Sequence, residues 1–490
     1  MLNLLLALGS AALLILTFPR FQVVWLAPVA LAPLLVAVAR EPRWLRRFLL
    51  GWVAGVVYWF GVCYWIQFVL AFHGGLGGVA GWAVFLLFGA TKALHMGAFA
   101  LLAGMLMRRW WAVPAVASLW VAVEATHGPL GFAWLALGNA GIDMGVPLRL
   151  APFTGVYGVS FIFMTMAAAL AGAVLRRPRA ELLWLLPLLF LVFLPQMPPA
   201  GRGRETALLV QPNISETEQW TAQSLDQMER EQVMLTMRGA LAATRQPPSI
   251  IVWPEVPAPF YYYDDPNFRN YADRLARSTN AYVLMGIVAH TPGGAPLNSA
   301  TLISPDGGPI SRYDKVNLVP FGEYVPWPFG FANKISTEIG DFVAGKRVVV
   351  SPMAARNGEG SHKIGTFICY EAVFPGFVRK FAAGGAEVLF NISNDRWFGK
   401  SAAREQHLSM VRMRAAENRR WILRATNDGI TATIDSAGRL RGTLPPYVQA
   451  VSYTGFSYVA GQTFYTRWGD WFPLLCGVMA LMCLVAGRVM

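Results

Sequence analysis

Apolar residues are concentrated at the two ends of the chain. Residues 1–196 are nearly all apolar, residues 197–467 mix short apolar runs with polar ones, and residues 468–488 are apolar again. About 20 apolar residues of α-helix cross a bilayer. We therefore predict seven spans, at roughly 3–18, 21–39, 48–72, 77–106, 110–126, 152–175 and 182–196, and an eighth at 468–488. The predicted domains are a seven-span bundle (1–196), a soluble domain (197–467) and a C-terminal transmembrane helix (468–490).

Arginine clusters lie in alternate connections between these spans. The clusters are Arg40, Arg43, Arg46 and Arg47, then Arg108 and Arg109, then Arg176, Arg177 and Arg179. The other connections hold few basic residues. By the positive-inside rule the three clusters face the cytoplasm. Seven spans then place residues 197–467 on the opposite side of the membrane.

The soluble domain alternates short apolar runs with longer amphipathic ones. Strands are predicted at 206–210, 249–253, 281–288, 299–303, 364–369, 388–392, 421–425 and 431–434. Helices are predicted at 216–244, 266–278, 374–384 and 402–419. This alternation predicts an α/β domain in which sheet packs against helices.

Cys369 stands apart from the other three cysteines, which fall in apolar runs. A domain with a single cysteine cannot form its own disulfide, so Cys369 is either an inert core thiol or a reactive one. It lies between the predicted strand 364–369 and the predicted helix 374–384. A helix N-terminus favours a thiolate. The position alone leaves both interpretations open.

Two further polar side chains follow apolar segments. Glu255 ends Trp253-Pro-Glu255, and Lys315 ends Tyr313-Asp-Lys315. If the strands ending at Glu255 and Cys369 point the same way, both residues emerge at one edge of the sheet, where α/β folds place their sites. A carboxylate can take the thiol proton, a thiolate can attack an acyl carbon, and a lysine can stabilise the oxyanion. The alternatives are an exposed loop residue for Glu255 and a solvated charge for Lys315.

Other chemistries find little support in the residue pattern. No histidine is placed to pair with Cys369, since His362 lies on the preceding turn and His407 on a predicted helix face. No histidine/cysteine cluster has metal-ligand spacing, so we predict no metal and no cofactor. The net charge of +13 lies partly in the arginine clusters, which suit anionic lipid headgroups. Charge in the soluble domain is scattered, so no nucleic-acid partner is expected.

Three ordered segments resemble the signatures of the nitrilase (carbon–nitrogen hydrolase) superfamily. They are Trp253-Pro-Glu255, Tyr313-Asp-Lys315 and Ile368-Cys-Tyr-Glu371. Longer segments resemble its apolipoprotein N-acyltransferase branch: Asn317-Leu-Val-Pro-Phe-Gly-Glu-Tyr-Val-Pro326, Asn391-Ile-Ser-Asn-Asp395 with Trp397-Phe-Gly399, and Gln406-His-Leu408. The flanking spans match that branch as well. The resemblance therefore extends over nearly the whole chain.

The resemblance implies a polytopic α-helical membrane protein of about eight spans with an inserted α/β, nitrilase-like αββα sandwich. It also implies that Glu255 is the general base, Lys315 the oxyanion partner and Cys369 the acylated nucleophile. Among the matching positions are two supporting carboxylates, Glu323 and Glu371, and three aromatics near the substrate path, Trp220, Tyr370 and Trp397. The alternative role of each carboxylate is a salt bridge or a hydrogen-bond acceptor that fixes a loop. The alternative role of each tryptophan is packing in the core.

The implied function is a two-step acyl transfer in the bacterial inner membrane, with the catalytic domain in the periplasm. A phospholipid would donate an acyl chain to Cys369, and the N-terminal amine of a diacylglyceryl-cysteine apolipoprotein would accept it. The expected partners are these two substrates and membrane lipids, with a monomeric enzyme. The alternative function is a membrane-tethered amidase that hydrolyses a small amide. A transporter with a sensor domain would require inverted repeats, and none is clear in the sequence.

Five ionisable residues lie at positions where neutral or apolar residues are expected. Arg396 and Arg404 stand where the resembling family has a neutral residue and a proline. Lys92, His95 and Glu124 lie within apolar runs, where ionisable residues are functional candidates. They can contact lipid headgroups, or they can pair with one another to hold helices together, which we favour.

Overall fold

The computed structural model contains a helical bundle and a layered α/β domain. It describes residues 1–130, 132–201, 203–215, 220–242, 246–256, 258–324, 342–355 and 360–489. The bundle is formed by the segment before the first strand and by the C-terminal helix. The α/β domain is formed by the residues between them.

Helices make up the bundle and the outer layers of the α/β domain. The α-helices within the described residues are α1 (Leu2–Thr17), α2 (Ala32–Arg40), α3 (Trp44–Cys63), α4 (Trp65–Phe68), α5 (Gly77–Leu106), α6 (Ala112–Ala125), α7 (Gly145–Leu148), α8 (Ala151–Thr154), α9 (Val156–Val174), α10 (Ala222–Leu241), α11 (Pro266–Thr279), α12 (Pro375–Ala383), α13 (Ala403–Asn418), α14 (Phe464–Trp468) and α15 (Trp471–Val489). All four helices predicted for the soluble domain are confirmed, as α10 to α13.

Three helices of the described chain, α3, α5 and α9, are long and apolar enough to cross a membrane. α1, α6 and the apolar part of α15 are shorter. The predicted span 21–39 is α-helical only from residue 32, after a turn that contains Pro28, and proline lacks the N–H that a helix needs. The count of eight spans and their orientation stay predictions.

The seventh predicted span, 182–196, is largely a 3-10 helix, Arg179–Phe193, with Pro187 inside it. A 3-10 helix rises about 2.0 Å per residue, more than an α-helix does. Its 15 residues therefore extend about 30 Å, which is close to the thickness of a bilayer hydrocarbon core. As an α-helix these 15 residues would be too short to span the bilayer, but as a 3-10 helix they are long enough.

Twelve strands in the described part of the α/β domain form two six-stranded sheets. The strands are β1 (Glu205–Gln211), β2 (Ile250–Val252), β3 (Tyr282–His290), β4 (Pro296–Ile303), β5 (Pro309–Asp314), β6 (Val350–Ala354), β7 (Ser361–Ile368), β8 (Val388–Ser393), β9 (Trp421–Thr426), β10 (Ala432–Ile434), β11 (Leu440–Thr443) and β12 (Ala450–Phe456). Their orders are β12-β1-β2-β3-β4-β5 and β11-β10-β9-β8-β7-β6.

The centre of each sheet is parallel. β1, β2 and β3 run parallel in the first sheet, and β7, β8 and β9 in the second, with Val252 opposite Leu284 and Ile368 opposite Ile392. Such strands are covered on both faces and therefore consist almost entirely of apolar residues. Their carboxyl ends meet at one edge of each sheet, and this edge carries the candidate site.

The two sheets pack face to face between two helical layers. One hydrophobic cluster joins the inner faces, with Leu209 and Val252 from the first sheet and Phe367 and Ile392 from the second. A separate cluster lies between the first sheet and α10 and α11. Helices α12 and α13 cover the second sheet. The predicted αββα sandwich is therefore confirmed.

All eight predicted strands are confirmed, and four strands were not predicted. The missed strands, β5, β6, β11 and β12, are the four edges of the two sheets. Their residues are largely exposed or half-buried. An edge strand lacks the continuous apolar run that made the central strands recognisable.

Candidate active site

The predicted acid, lysine and thiol of the candidate site lie in turns that follow three strands. Glu255 follows β2 and Lys315 follows β5, both in the first sheet, while Cys369 follows β7 in the second. The prediction that Glu255 and Cys369 emerge from one sheet is therefore wrong. They meet across the sandwich because the ends of the two sheets face each other. The backbone N–H of Asn394, which follows β8 in the second sheet, donates to Glu255 Oε2 at 2.9 Å and so joins the facing ends of the two sheets.

Lys315 lies between two buried carboxylates. Its Nζ donates to Glu255 Oε1 and to Glu323 Oε1, both at 2.9 Å. Asn298 Nδ2 donates to the same two oxygens at 2.8 and 2.6 Å. Lys315 is only 1% exposed and Glu255 only 6%, so neither residue has the surface role that the sequence left open.

The charges of this cluster set the protonation of the lysine. Burial alone would lower the pKa of Lys315, but the carboxylates of Glu255 and Glu323 raise it well above its usual range. Lys315 therefore carries a fixed positive charge. Its ammonium group is the kind of donor that stabilises an oxyanion forming nearby.

Cys369 begins a 3-10 turn, Cys369–Val373, directly after β7. Its backbone φ is 46°, a left-handed conformation that is uncommon for residues other than glycine. Burial, and then the charge of Glu255, raise the pKa of the Cys369 thiol above its usual value, although Lys315 lowers it.

The expectation that a helix N-terminus favours a thiolate at Cys369 is therefore wrong. The residue starts a single 3-10 turn, and the next α-helix begins only at Pro375. A dipole contribution is small beside the cost of placing a charge in a dry site. The resting thiol is neutral and needs a base to remove its proton.

Glu371 holds the turns of the site together. Its Oε1 accepts hydrogen bonds from Tyr313 Oη at 2.6 Å and from the backbone N–H groups of Val316 and Asn317 at 2.8 and 3.1 Å. Its Oε2 accepts from the backbone N–H of Ile368 at 2.7 Å. Burial raises the pKa of Glu371 to about 7, against the effect of these hydrogen bonds. Of the roles left open for Glu371, the contacts match the loop-fixing acceptor.

The three predicted aromatic residues lie in different places. The Tyr370 ring stacks against that of Phe132 with 6.3 Å between centroids, and the Trp397 ring lies 4.4 Å from the His73 ring. Both partners belong to connections of the bundle. Trp220 instead packs against the cluster between the first sheet and α10 and α11, which is the core-packing alternative.

The structure brings His407 to Cys369, which the sequence analysis missed. His407 Nε2 lies 3.1 Å from the backbone oxygen of Cys369, and its Nδ1 lies 3.1 Å from Asp395 Oδ1. A ring nitrogen of His407, a carboxylate oxygen of Asp395 and the Cys369 sulfur all lie within 4.8 Å of one another. The hydrogen bond of His407 goes to the Cys369 backbone and not to its sulfur, so this proximity is not the usual cysteine–histidine pairing. The only signal available was the Gln406-His-Leu408 segment, on the predicted helix 402–419.

The two arginines that depart from the family pattern brace the turn after β8. Arg396 Nη1 donates to the backbone oxygen of Ile214. Arg404 Nη2 donates to Asp428 Oδ2 at 2.6 Å, and its Nη1 donates to the backbone oxygen of Gly399. Arg404 is 2% exposed, so its charge is neutralised inside the domain.

Lys92 and Glu124 do not pair as predicted. Lys92 Nζ donates to the backbone oxygen of Phe132 at 3.0 Å. Glu124 Oε1 accepts from the backbone N–H of Leu137 at 2.7 Å. The connection between α6 and α7 folds back into the bundle and supplies backbone partners to both side chains, which is why they need no contact with each other.

A cavity of about 70 Å³ lies where the bundle meets the α/β domain. Its lining includes His95, Glu124, His127 and Asn139 from the bundle and Arg414 from α13. The first four each present a buried atom with no hydrogen-bond partner among the described residues: His95 Nε2, Glu124 Oε2, His127 Nδ1 and Asn139 Nδ2. A cavity of this size, with several unpartnered polar atoms in its wall, has room for ordered water that bonds such groups.

The αββα sandwich and the Glu255, Lys315 and Cys369 cluster define a carbon–nitrogen hydrolase fold. The carbon–nitrogen hydrolase family profile matches residues 196–463. The profile of the apolipoprotein N-acyltransferase N-terminal domain matches residues 10–169. Together with the relatives of 30–35% identity over nearly the full length, these matches show that the chain belongs to the apolipoprotein N-acyltransferase family.

Curated relatives agree over nearly the full length. The apolipoprotein N-acyltransferase of Geobacter metallireducens is 35% identical over 96% of this chain and 92% of its own. The Pseudomonas putida enzyme of the same name is 30% identical over 99% and 97%. Among solved structures, Saccharomyces cerevisiae Nit3, a member of branch 10 of the nitrilase superfamily, is 15% identical over 54% of this chain and 93% of that one, with a TM-score of 0.41.

Proposed function

We propose that this protein transfers an acyl chain from a phospholipid, through a thioester on Cys369, to the N-terminal amine of a diacylglyceryl-cysteine apolipoprotein. Membership of the apolipoprotein N-acyltransferase family supports the N-acylation of lipoproteins. The catalytic groups are Glu255, Lys315 and Cys369. No metal or cofactor takes part in the proposed steps.

In the first step Cys369 Sγ attacks the ester carbonyl of the phospholipid while Glu255 takes the thiol proton. The sulfur–carbon bond forms, the ester carbon–oxygen bond breaks, and Glu255 returns the proton to the leaving oxygen of the lysophospholipid. Glu255 Oε1 already accepts from Lys315 and Asn298, and Oε2 accepts from Asn394. A carboxylate oxygen has two acceptor positions, so Oε2 keeps one for the thiol proton.

In the second step the apolipoprotein amine attacks the thioester carbon. The nitrogen–carbon bond forms, the carbon–sulfur bond breaks, and the amine proton passes through Glu255 to the departing sulfur. Both steps form an oxyanion that the Lys315 ammonium group stabilises. Glu323 accepts a second hydrogen bond from Lys315 and so holds it in place, and Glu371 fixes the turns that carry Lys315 and Cys369.

Both proposed substrates are anchored in lipid, which accounts for a catalytic domain tethered to a membrane bundle. We place residues 197–467 on the periplasmic side of the inner membrane, between the bundle 1–196 and the C-terminal helix 468–490. Tyr370 and Trp397, which contact the bundle, line the proposed lipid path. We expect the apolar segment 326–331, which lies outside the described residues, to contribute to the same path.

One observation carries the proposal: a buried lysine that donates to two carboxylates interacts electrostatically with a buried cysteine, at the junction with an apolar bundle. The charge cluster suits acyl transfer by a thiol that needs a base. The bundle suits an acyl donor that stays in the bilayer. An amidase that acts on small soluble amides would not need the apolar bundle.

Mass spectrometry of the intact protein tests this function. The purified protein is incubated with phospholipid beside a Cys369→Ser variant. The expected result is a mass gain of one fatty-acyl chain in the wild type only, removed by hydroxylamine or by a diacylglyceryl peptide. A folded protein that forms no adduct and hydrolyses small amides would establish the amidase alternative instead.

A further inference from the structure

His407 is completely buried at the back of the nucleophile turn. Its side chain is 0% exposed, as are those of Asp395 and Arg424. Nε2 lies 3.1 Å from the Cys369 backbone oxygen. A carbonyl oxygen only accepts hydrogen bonds, so Nε2 carries the proton and donates to it. His407 therefore donates a hydrogen bond to the backbone oxygen of Cys369 and not to its sulfur.

The other ring nitrogen of His407 is also occupied. Arg424 Nη2 lies 3.2 Å from Nδ1 and 2.6 Å from Asp395 Oδ2. Burial and the charge of Arg424 lower the pKa of His407. With Nε2 donating to Cys369, Nδ1 has a partner in either protonation state: it accepts from Arg424 Nη2 or donates to Asp395 Oδ1, which lies 3.1 Å away. With both nitrogens in use, His407 is not available as a base for the thiol, and Glu255 keeps that role.

Asp395 and Arg424 fix the orientation of the ring. Burial would raise the pKa of Asp395, but the charge of Arg424 holds it well below its usual range. Ser393 Oγ donates to Asp395 Oδ1 at 2.8 Å. Each charge in this group has its counter-charge within hydrogen-bonding distance, which is the condition for keeping charges in a dry interior.

The residue before His407 is anchored in the bundle. Gln406 Oε1 accepts from Trp65 Nε1 at 3.3 Å and Trp134 Nε1 at 2.8 Å. Its Nε2 donates to the backbone oxygens of Pro19 and Val62 at 3.1 and 3.0 Å. All of these partners precede β1 in the chain. Adjacent residues of α13 therefore hold the bundle on one side and the nucleophile turn on the other.

We propose that His407 is a positioning residue for the acyl transfer, which holds the Cys369 backbone oxygen so that the sulfur stays aligned with Glu255 and Lys315. Cys369 has a left-handed backbone, with φ of 46°, and such a conformation persists only where surrounding contacts hold it. The hydrogen bond from His407 is one such contact. This inference rests on the proposed function, since it deepens the account of the same site.

The test compares His407→Leu with His407→Gln in single-turnover acylation by phospholipid. Leucine removes the hydrogen bond, whereas the glutamine amide can donate to Cys369 and accept from Arg424. Rates are divided by the fraction of Cys369 that a thiol reagent can titrate, which removes the effect of misfolded protein. We expect His407→Leu to acylate about 100-fold more slowly at saturating phospholipid, with KM unchanged and with most of the rate restored in His407→Gln.

His290→Leu is the matched control. His290 is a partly exposed histidine that pairs with Asp264 at 2.8 Å, far along the chain from the nucleophile, and its loss should leave the rate unchanged. Wild-type rates in His407→Leu would overturn the proposal, and so would equal losses in the leucine and glutamine variants. Failure of the wild type to form any thioester would refute the proposed function itself, so the two failures are distinguishable.

Discussion

At the scale of single residues, the site depends on one buried cation shared by two buried anions. Lys315 has Glu255 and Glu323 at 2.9 Å each. Charges are costly to bury, and the cost is offset only when each has its partner. Two of these three buried residues, Glu255 and Lys315, are therefore also the ones proposed to handle the proton and the oxyanion.

Replacing Lys315 by methionine should destabilise the protein strongly. Glu255 and Glu323 would then face each other without a cation, and breaking a buried pair in this way costs about 3–5 kcal/mol. The thermal midpoint in detergent measures the effect. Arg230→Met is the control, because Arg230 pairs with Asp226 at 3.0 Å on an exposed helix surface and should change the midpoint little. A Lys315→Met variant as stable as that control would contradict the pairing.

The thiol offers a second prediction at this scale. Because burial and then Glu255 raise the pKa of Cys369, its alkylation by iodoacetamide at pH 8 should be slow and should accelerate as the pH rises. Glu255→Gln removes a negative charge and should shift the alkylation profile to lower pH, while it abolishes acyl transfer. Mass spectrometry of the Cys369 peptide gives both rates. Alkylation that slows in the variant would refute this electrostatic account.

The resemblance of three segments to the nitrilase signatures is what predicts Glu255, Lys315 and Cys369, since the residue pattern alone leaves inert interpretations open for all three. His407 could not be predicted in the same way. Its partner is a backbone oxygen 38 residues away, and every residue has a backbone oxygen. Only the folded chain shows which one a buried imidazole reaches.

At the scale of elements, a glycine in β3 lets the β2 turn approach the site. A Cβ on Gly286 would lie 2.5 Å from Pro254 O, 2.6 Å from Val256 N and 2.7 Å from Glu255 Cα. Contacts this short do not occur, so any side chain would displace the backbone that carries Glu255. The bare backbone of Gly286 is what allows the carboxylate to reach Lys315.

Gly286→Ala should therefore reduce acylation about 100-fold, the loss expected when a catalytic group moves by about 1 Å. Gly442→Ala is the control, because a Cβ on Gly442, in β11, would meet nothing within 4 Å. Single-turnover acylation of the two variants measures the difference. Equal rates would mean that the β2 turn can shift without moving Glu255.

Prediction of the elements succeeded where strands are buried on both faces and failed at the edges. β8 is buried along its whole length and β7 from Ile364 onward, as parallel central strands are. β11 has no buried residue and is recognisable only through its pairing with β10. The bundle shows the same contrast, since long apolar helices such as α5 were found while the turn around Pro28 was not.

At the scale of the whole molecule, the bundle and the catalytic domain meet through aromatic side chains. The Phe398 ring lies 4.9 Å from the Trp65 ring and 5.8 Å from the Trp134 ring. The Trp397 ring lies 4.4 Å from the His73 ring. These contacts place the turn after β8, which also supplies Asn394 to Glu255, directly against the bundle.

The double variant Trp397→Ala, Phe398→Ala should therefore separate lipid substrates from soluble ones. Acylation by a long-chain phospholipid should fall much further than acylation by a short soluble ester, because only the lipid has to pass between the two parts of the molecule. Tyr453→Ala serves as the control, since Tyr453 is an exposed aromatic on the edge strand β12. Equal losses on both substrates would show that the aromatic turn supports Glu255 and not the lipid path. A loss of acylation confined to the phospholipid would show that the acyl donor enters at the contact between the bundle and the domain.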